Sequence, residues 1–295
     1  MKYANLHLHS TYSDGVLTPM ELCQKAKEMG YGALSLTDHN TDSGWADFKA
    51  ACEATDMDYI LGQECTARGD GYDFHIVAYD FDPTAPAMAE YIKNEEDTMM
   101  SKTKAQFDAC IEKGLFGGIT WQEVLDKFPN RLWICNEQVF ATLVEKTEMT
   151  QADYWPFIKN FNGQRDVSYT ATNRKYTAKE MITVIRDAGG IASLAHPHNQ
   201  TQHLPWLHDL GLMCVEYDHP GIDCNDGVEA YKFAKEHGMY LAGGTDHTGL
   251  LANHTAERGY PASFDPRKNI CAYDKDVRNG VTKEEFEALK NRIYG

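Results

Sequence analysis

The sequence predicts an α/β fold, with a parallel sheet or barrel. Short apolar runs of strand length recur along the chain, and most of them are followed by stretches of helical periodicity. Residues 83–176 interrupt this alternation, because they contain helical patterns and no convincing strand. We therefore expect a barrel domain formed by residues 1–82 and 177–295, and a helical insertion domain of residues 83–176 that covers the active site.

Seven runs have the length and apolar content of strands. In the first run, the two-residue period of a strand places His7 and His9 on one face and Leu6 and Leu8 on the other. The seven runs are YANLHLH (3–9), GALSLTD (32–38), DYILGQE (58–64), DFHIVAY (73–79), GIASLAH (190–196), LMCVEYD (212–218) and GMYLAGG (238–244).

Five helices are predicted from a Thr followed three residues later by an acidic residue, the pattern of a capping box. In the first of them Pro19 occupies the first helical position and Gly30 is expected to end the helix. The five pairs are Thr18 and Glu21, Thr120 and Glu123, Thr150 and Asp153, Thr177 and Glu180, and Thr282 and Glu285. Within the insertion we expect helices over residues 88–113, 121–128 and 138–146.

The composition is that of an ordinary globular protein, with 42% apolar and 24% charged residues among 295, which excludes a disordered chain or a fibrous repeat. No run approaches the 18 apolar residues of a membrane span, and the N-terminus turns polar within a few residues. We expect no membrane partner and a cytoplasmic location. The eight Cys form no C-x-x-C pair, so we expect reduced and mostly buried thiols.

The charge balance restricts the partners. Asp and Glu total 44 against 28 Lys and Arg, which gives a formal net charge of −16, and no basic run occurs. Because nucleic-acid binding needs a surplus of cations to neutralise phosphates, we expect no stable nucleic-acid partner. An acidic protein that binds an anionic substrate needs a local source of positive charge, and bound metal ions would supply it.

Residue types that bind metals recur where the predicted strands end. The C-terminal ends of barrel strands form the active-site face of a β/α barrel, so these side chains are expected to meet. A mixture of imidazole and carboxylate suits Mn, Fe or Zn, and the set is larger than one ion needs. We therefore predict more than one divalent metal ion. The candidates are His7, His9, Asp14, His39, Glu64, His75, His196, Asp246 and His247.

The motifs that carry these residues resemble those of the PHP (polymerase and histidinol phosphatase) family of metal-dependent phosphoesterases. They are HLHSTYSDG (7–15), LTDH (36–39), GQE (62–64), HIVAY (75–79), AHP (195–197) and GGTDH (243–247), in the order of the family. The resemblance implies a distorted (β/α)7 barrel with a two- or three-metal site. It is strongest to the members that act on nucleotides and other small or cyclic phosphate esters.

The resemblance also implies a ligand set for each ion. One ion would be held by His7, His9, Glu64 and Asp246, and a second by Glu64 as a bridge with His75 and His196. Asp14 and His39 would hold a third ion together with a His two positions after the final Asp. That position is Thr248 here, next to His247. We expect either that His247 replaces the missing ligand or that the site is mainly binuclear.

Related nucleotide phosphatases hold substrate phosphate with an Arg and a His of the insertion, in an I-x-R-x-H pattern. The matching stretch here places Asn136 and Gln138 at those positions. Both can donate hydrogen bonds to phosphate or sugar hydroxyls but bring no charge, so a mono- or cyclic phosphate is expected rather than a double phosphate. Arg165 is the preferred phosphate-binding cation, and His198 is a further substrate-binding candidate. The other possible cations are Arg131, Arg174 and Arg258.

The resulting prediction is a metal-dependent phosphoesterase that hydrolyses a small phosphorylated metabolite, a nucleotide or sugar phosphate, with water activated by the metal ions. His196, His219 or His247 would carry the proton to the leaving group. Two alternatives remain open. One is a C–N bond hydrolase of the amidohydrolase type at the same metal cluster, and the other is a non-catalytic metal- or nucleotide-binding module.

Overall fold

The computed structural model describes residues 2–15, 17–69, 71–129, 131–246 and 279–294. Within these ranges the chain folds into two β-sheets and a series of helices. The helices are α1 (Pro19–Glu28), α2 (Trp45–Thr55), α3 (Pro86–Glu112), α4 (Trp121–Lys127), α5 (Asn136–Lys146), α6 (Tyr154–Asn162), α7 (Ala178–Asp187), α8 (Leu204–Asp209), α9 (Cys224–His237) and α10 (Lys283–Tyr294).

The first sheet is small and parallel, and the second is mixed. In the second sheet β5 is antiparallel to both of its neighbours, whereas the last three strands run parallel. The first sheet has the order β1 (Ala4–Asn5), β2 (Ala33–Leu34) and β3 (Asp58–Tyr59). The second has the order β4 (Gly62–Arg68), β5 (Asp73–Tyr79), β6 (Ile191–Leu194), β7 (Cys214–Asp218) and β8 (Tyr240–Gly243).

Backbone contacts join the two sheets at both edges. The amide of Leu6, just after β1, donates to the carbonyl of Gly243 in β8 at 2.9 Å. On the other side an isolated parallel bridge pairs His39 with Glu64 in β4. The strands of the described residues nevertheless pair as two sheets and not as one closed sheet. The α/β class is confirmed, and the closed seven-stranded barrel stays a prediction.

Two strand assignments differ from the sequence expectation. The run 58–64 is divided into β3 and β4, and β4 continues to Arg68, so Glu64 lies inside a strand and pairs with Val77 of β5. The expectation of parallel strands is wrong for β5. Only four residues separate β4 from β5, and a parallel connection needs a crossover of a dozen or more residues. Gly69 and Gly71 take positive φ angles in this short connection.

The predicted helix starts agree with the structure. Thr18, Thr120 and Thr177 each accept a hydrogen bond from the amide of the acidic residue three positions later, whose carboxylate bonds back to the Thr amide. The side chain of Thr282 accepts in the same way, ahead of α10. Thr150 precedes a short 3-10 turn, and α6 begins after that turn.

The described part of residues 83–176 contains α3 to α6 and no strand. Its helices enclose their own apolar cluster, which includes Phe107, Phe140 and Phe157, separate from the core between the sheets and the remaining helices. This organisation supports a helical insertion, while the domain boundaries at 82/83 and 176/177 stay predictions.

No helix in the described ranges is both long and apolar enough to cross a membrane. The six cysteines whose side chains are described are buried, and no disulfide joins any two of them. They are Cys23, Cys52, Cys65, Cys110, Cys135 and Cys214.

Candidate metal centre

His7 and His9 lie in the segment that follows β1, and both are buried. The alternation predicted for this segment holds, because Leu6 and Leu8 contribute to the apolar cores while the two imidazoles turn toward each other. Their Nε2 atoms are 3.2 Å apart. Two ring nitrogens from one strand segment therefore point at a common position.

Two carboxylates complete this first group. Glu64 Oε2 lies 3.2 Å from His7 Nε2 and 3.3 Å from His9 Nε2. Asp246 Oδ1 lies 3.0 Å from His9 Nε2 and 3.8 Å from His7 Nε2. The four ligand atoms lie within 4.8 Å of one another, so His7, His9, Glu64 and Asp246 could hold one metal ion.

The other oxygen of Glu64 faces a different pair of histidines. Glu64 Oε1 lies 2.7 Å from His75 Nδ1 and 3.0 Å from His196 Nε2. His39 approaches from the side of the first oxygen, with Nδ1 3.1 Å from Glu64 Oε2. Glu64 therefore separates two sets of ring nitrogens and contacts both.

Asp14 lies at the third corner of the site. Its Oδ1 is 3.6 Å from His9 Nδ1, and its Oδ2 is 3.7 Å from His39 Nε2. The three side chains form a further group with the spacing of metal ligands. His247 and Thr248, on which the completeness of this third position depends, lie outside the described residues.

The chemistry of the donor set suits divalent cations. Glu64 Oε2 and His9 Nδ1 are buried and have no hydrogen-bond partner, although buried polar atoms are normally paired. Burial opposes ionisation of Glu64, but the surrounding His39, His7 and His75 hold its pKa well below the usual range. Glu64 is thus an ionised carboxylate with an unpaired oxygen, and imidazoles face that oxygen. A bound cation would be the missing partner of these groups.

Two residues of the site have strained backbones. His196 and Asp246 take φ angles of 28° and 49°, in the left-handed region that residues with a Cβ rarely occupy. Each is held by a hydrogen bond from its own amide. The amide of Asp246 donates to the carbonyl of His7 at 2.9 Å, and that of His196 donates to Glu216 Oε2 at 2.7 Å. The strain is retained because the surrounding site determines these conformations.

Glu216 was not identified from the sequence. It lies in β7, it is 0% exposed, and its Oε1 is 2.7 Å from His7 Nδ1. The available signal was an acidic residue in the middle of the apolar run 212–218, where a strand buried on both faces would not tolerate an unpaired carboxylate. Burial opposes its ionisation, yet His7 foremost among the nearby histidines lowers the pKa of Glu216.

His219, a predicted proton donor, is buried beside the first group. Its Nδ1 accepts a hydrogen bond from the amide of Gly221 at 2.8 Å, so the ring proton of the neutral form is on Nε2. That Nε2 lies 3.6 Å from Asp246 Oδ2. Burial is the largest cause of the lowered pKa of His219. His219 is therefore a neutral imidazole that directs an N–H toward Asp246.

The amide of Gln138 is committed to protein contacts. Its Oε1 accepts from the amide of Cys135 at 3.1 Å, and its Nε2 donates to the carbonyls of Thr11 and Ser13, both at 3.1 Å. The residue ties the insertion to the loop that carries Asp14. No contact of Gln138 in the structure supports the predicted role in substrate binding.

Asn136 lies two residues before Gln138, and its Nδ2 donates to Glu137 Oε1 at 2.6 Å. Glu137 was not singled out from the sequence. Tyr154 also donates to its Oε1, at 2.9 Å. Burial and the neighbouring charge of Asp14 raise the pKa of Glu137 to about 7.

Two predicted substrate-binding residues make their contacts elsewhere. Arg165 is exposed, and its Nε donates to the carbonyl of Asn162 at 3.3 Å. His198 is 52% exposed and pairs with Asp226, its Nδ1 3.3 Å from the carboxylate. The amide of His198 donates to the carbonyl of His196 at 2.5 Å, but among the described residues neither side chain contacts a metal-site imidazole, so their role in substrate binding stays a prediction.

Two of the other three candidate cations, Arg131 and Arg174, also have contacts in the structure. Arg131 donates to Thr11 Oγ1 at 2.8 Å and stacks on the ring of Tyr12 at 3.7 Å, which places it beside the loop of Asp14. Arg174 pairs with Glu90 at 2.6 Å, on the outside of α3. Arg258 lies outside the described residues.

The fold and the site together define an α/β protein with a buried histidine–carboxylate centre. The PHP domain pattern matches residues 5–192, and the chain belongs to this family. The match confirms the resemblance that the sequence motifs indicated.

Three curated relatives cover most of the chain. A 5'-3' exoribonuclease of Haemophilus influenzae is 28% identical over 71% of this chain and 74% of its own length. A phosphoribosyl 1,2-cyclic phosphate 1,2-diphosphodiesterase of Eggerthella lenta is 26% identical, over 83% and 94%. A 3',5'-nucleoside bisphosphate phosphatase of Chromobacterium violaceum is 26% identical, over 83% and 87%.

Among solved structures, a proposed metal-dependent phosphoesterase of Bifidobacterium adolescentis superposes with a TM-score of 0.73. The two chains are 21% identical, and the match covers 99% of this chain and 96% of the other. At this identity the likeness shows a shared fold.

Proposed function

We propose that this protein is a metal-dependent phosphoesterase that hydrolyses a small phosphate ester. The observation that carries the proposal is the buried carboxylate of Glu64, whose two oxygens face two different sets of imidazoles. Such a carboxylate would bridge two divalent ions, held by His7, His9 and Asp246 on one side and by His75 and His196 on the other. All three relatives have names that describe the cleavage of phosphate esters, which supports this reaction.

When bound, the ions would supply a water of lowered pKa and neutralise the charge of the phosphoryl oxygens. The protein would contribute a fixed geometry, since Glu64 sets the separation of the two ligand sets. Asp14 and His39 form the third position, which we propose to hold a further ion or to contact the phosphate. Mn, Fe and Zn all suit this mixture of nitrogen and oxygen ligands.

His219 would donate a hydrogen bond instead of transferring a proton. Its Nδ1 lone pair is used by the amide of Gly221, so adding a second proton to the ring would break that hydrogen bond. Its Nε2–H is suited to orient Asp246 or a phosphoryl oxygen. Transfer of the proton to the leaving group then falls to another residue, and His196 and His247 remain the candidates from the sequence.

We propose a mono- or cyclic phosphate of a nucleotide or sugar as the substrate class. The segment from Arg131 to Gln138 lies against the loop of residues 11–15, as expected for an insertion that narrows access to the site. The name of the Eggerthella lenta relative supports a cyclic phosphate, and that of the Chromobacterium violaceum relative supports a nucleotide substrate.

A short RNA is the second candidate substrate. The named exoribonuclease of Haemophilus influenzae, with 28% identity, favours it. The net charge of −16 argues against tight binding of a long polyanion, so only the 5' end of the RNA would enter the site.

The test combines metal analysis with a substrate panel. The protein is reconstituted with Mn²⁺, Fe²⁺ or Zn²⁺, and phosphate release or product formation is measured. The panel holds p-nitrophenyl phosphate, nucleoside mono-, cyclic and 3',5'-bisphosphates, sugar phosphates, a 5'-phosphorylated oligoribonucleotide and amide substrates. We expect at least two ions per chain and turnover of one class of phosphate ester.

The matched variants are Glu64→Gln and Asp73→Asn. The first removes the charge of the bridging carboxylate and should abolish metal retention and turnover. The second removes an exposed carboxylate on the neighbouring strand that pairs with Arg68, and should change neither. Ammonia release from the amide substrates without any phosphate release would favour the C–N hydrolase. A fully metallated protein without turnover of any substrate would favour a binding module.

A further inference from the structure

Glu216 lies behind the metal-site histidines and has no exposed surface. It therefore cannot contact a substrate. A buried carboxylate is costly unless its oxygens are paired, so the partners of Glu216 define what it does.

Its two oxygens have two different partners. Oε1 lies 2.7 Å from His7 Nδ1, and Oε2 accepts a hydrogen bond from the backbone amide of His196 at 2.7 Å. His7 belongs to the first ligand group and His196 to the second. One side chain thus contacts a ligand of each group.

The contact with His7 fixes the orientation and the tautomer of the ring. Because Nδ1–H donates to Glu216, the neutral ring has its lone pair on Nε2, which points at the position shared with Glu64 Oε2, 3.2 Å away. A carboxylate behind a ligating imidazole also makes the imidazole a better ligand.

The contact with His196 acts on the backbone. His196 has a φ of 28°, and a conformation of this kind persists only when neighbouring groups hold it. The hydrogen bond to Glu216 Oε2 holds the amide, and the ring of His196 then reaches Glu64 Oε1, with Nε2 at 3.0 Å. Without this bond the chain would relax and the ring would move away from Glu64.

We propose that Glu216 is a positioning residue that couples the two metal sites, orienting His7 for one ion and His196 for the other. The inference rests on the metal sites of the proposed function. The inference has a specific consequence. The loss of one side chain that ligates neither ion should weaken the binding of both ions.

The test measures metal binding and does not depend on a substrate. Glu216→Gln keeps the size of the side chain, but its NH₂ group cannot accept, so the side chain can no longer accept from both His7 Nδ1–H and the amide of His196. Metal-free wild type and variant are titrated with Mn²⁺ and Zn²⁺ by calorimetry, and their melting is followed by circular dichroism. We expect the affinity for both ions to fall about 10- to 100-fold, with the variant still folded.

Asp218→Asn is the matched control. Asp218 lies on the same strand and is buried, but its carboxylate accepts from Asn279 at 2.9 Å and pairs with Lys2 at 2.5 Å, away from the metal ligands. This variant should bind both ions with the wild-type affinity. Glu216→Asp, which keeps the charge and shortens the side chain, serves as the second variant if Glu216→Gln does not fold. It should also bind both ions more weakly than the wild type.

Wild-type affinity for both ions in Glu216→Gln would overturn the coupling, and so would weaker binding of one and the same ion in both Glu216→Gln and Glu216→Asp. In the wild-type background, metal binding without ester hydrolysis would disprove the proposed function and leave this inference intact. Once an ester is identified, excess metal should raise the kcat of Glu216→Gln toward that of the wild type with little change in KM. A residue that contacted the substrate would not behave in this way.

Discussion

At the scale of single residues, two glutamates near the site show how surroundings determine charge. Glu64 is buried among His39, His7 and His75, which lower its pKa more than burial raises it. Glu137 is near Asp14, and burial together with this like charge raises its pKa to about 7. A glutamate side chain is therefore held in its ionised form at position 64 and is readily protonated at position 137.

The raised pKa of Glu137 predicts a pH-dependent stability. Since the folded protein binds this proton more tightly than the unfolded chain, whose pKa is near 4.5, stability falls as the pH rises from about 4.5 to about 7. Glu137→Gln removes the free-energy cost of ionising this buried carboxyl group. In urea unfolding with chelator present, the variant should exceed the wild type in stability at pH 8 and lose most of that advantage at pH 5.

Glu123→Gln is the control for this measurement. Glu123 is partly exposed at the start of α4, and its hydrogen bonds with Thr120 lower its pKa, so removing its charge should give no gain at pH 8. An equal stability of Glu137→Gln and wild type at both pH values would contradict the prediction.

At the scale of elements, the insertion is attached to the loop that carries Asp14. Three side chains of the α4–α5 region make this attachment. Arg131 donates to Thr11, Cys135 Sγ approaches the carbonyl of Ser13 at 3.4 Å, and Gln138 bonds to both loop carbonyls. The position of Asp14 therefore depends on the insertion as well as on the turn in which it lies.

Gln138→Ala should detach this loop from α5. It leaves buried backbone groups unpaired, so we expect a loss of about 1–3 kcal/mol in the free energy of unfolding. Urea unfolding measures this loss, and metal titration shows whether the ion next to Asp14 is weakened more than the others. Gln122 is an exposed residue of α4 whose side chain donates to Asp126, and Gln122→Ala should change neither quantity. Equal stability of the two variants would argue against the attachment.

At the scale of the whole molecule, folding gathers acidic groups in a chain that is already at −16. Glu64, Glu216 and Asp246 come from three strands or their ends, and each meets imidazoles from distant parts of the sequence. Such a concentration of charge is stabilised by the histidines and, in the proposed function, by the metal ions.

Metal removal should therefore lower global stability. An ion present at 100 times its dissociation constant stabilises the folded state by about 2.7 kcal/mol, so chelation should lower the melting temperature and restoring the ion should reverse the change. Thermal unfolding with and without EDTA tests this. Glu64→Gln should respond little to either treatment, and an unchanged melting temperature of the wild type would contradict metal binding.

The sequence by itself determined the features that depend on neighbouring residues. Capping pairs such as Thr18 and Glu21 act within one helical turn, and the alternation around His7 and His9 follows from strand geometry. The residue types at the ends of the strands were enough to predict a metal site, because few other chemistries use so many histidines and carboxylates together.

Only the tertiary structure decided which side chains support that site. Glu216 and His7 are 209 positions apart, and Gln138 bonds to loop carbonyls more than 120 positions away. The direction of β5 and the central place of Glu64 within β4 also depend on strand pairing. Such contacts form between segments that are distant in the chain, and no local periodicity specifies them, because their partners become neighbours only when the sheets assemble.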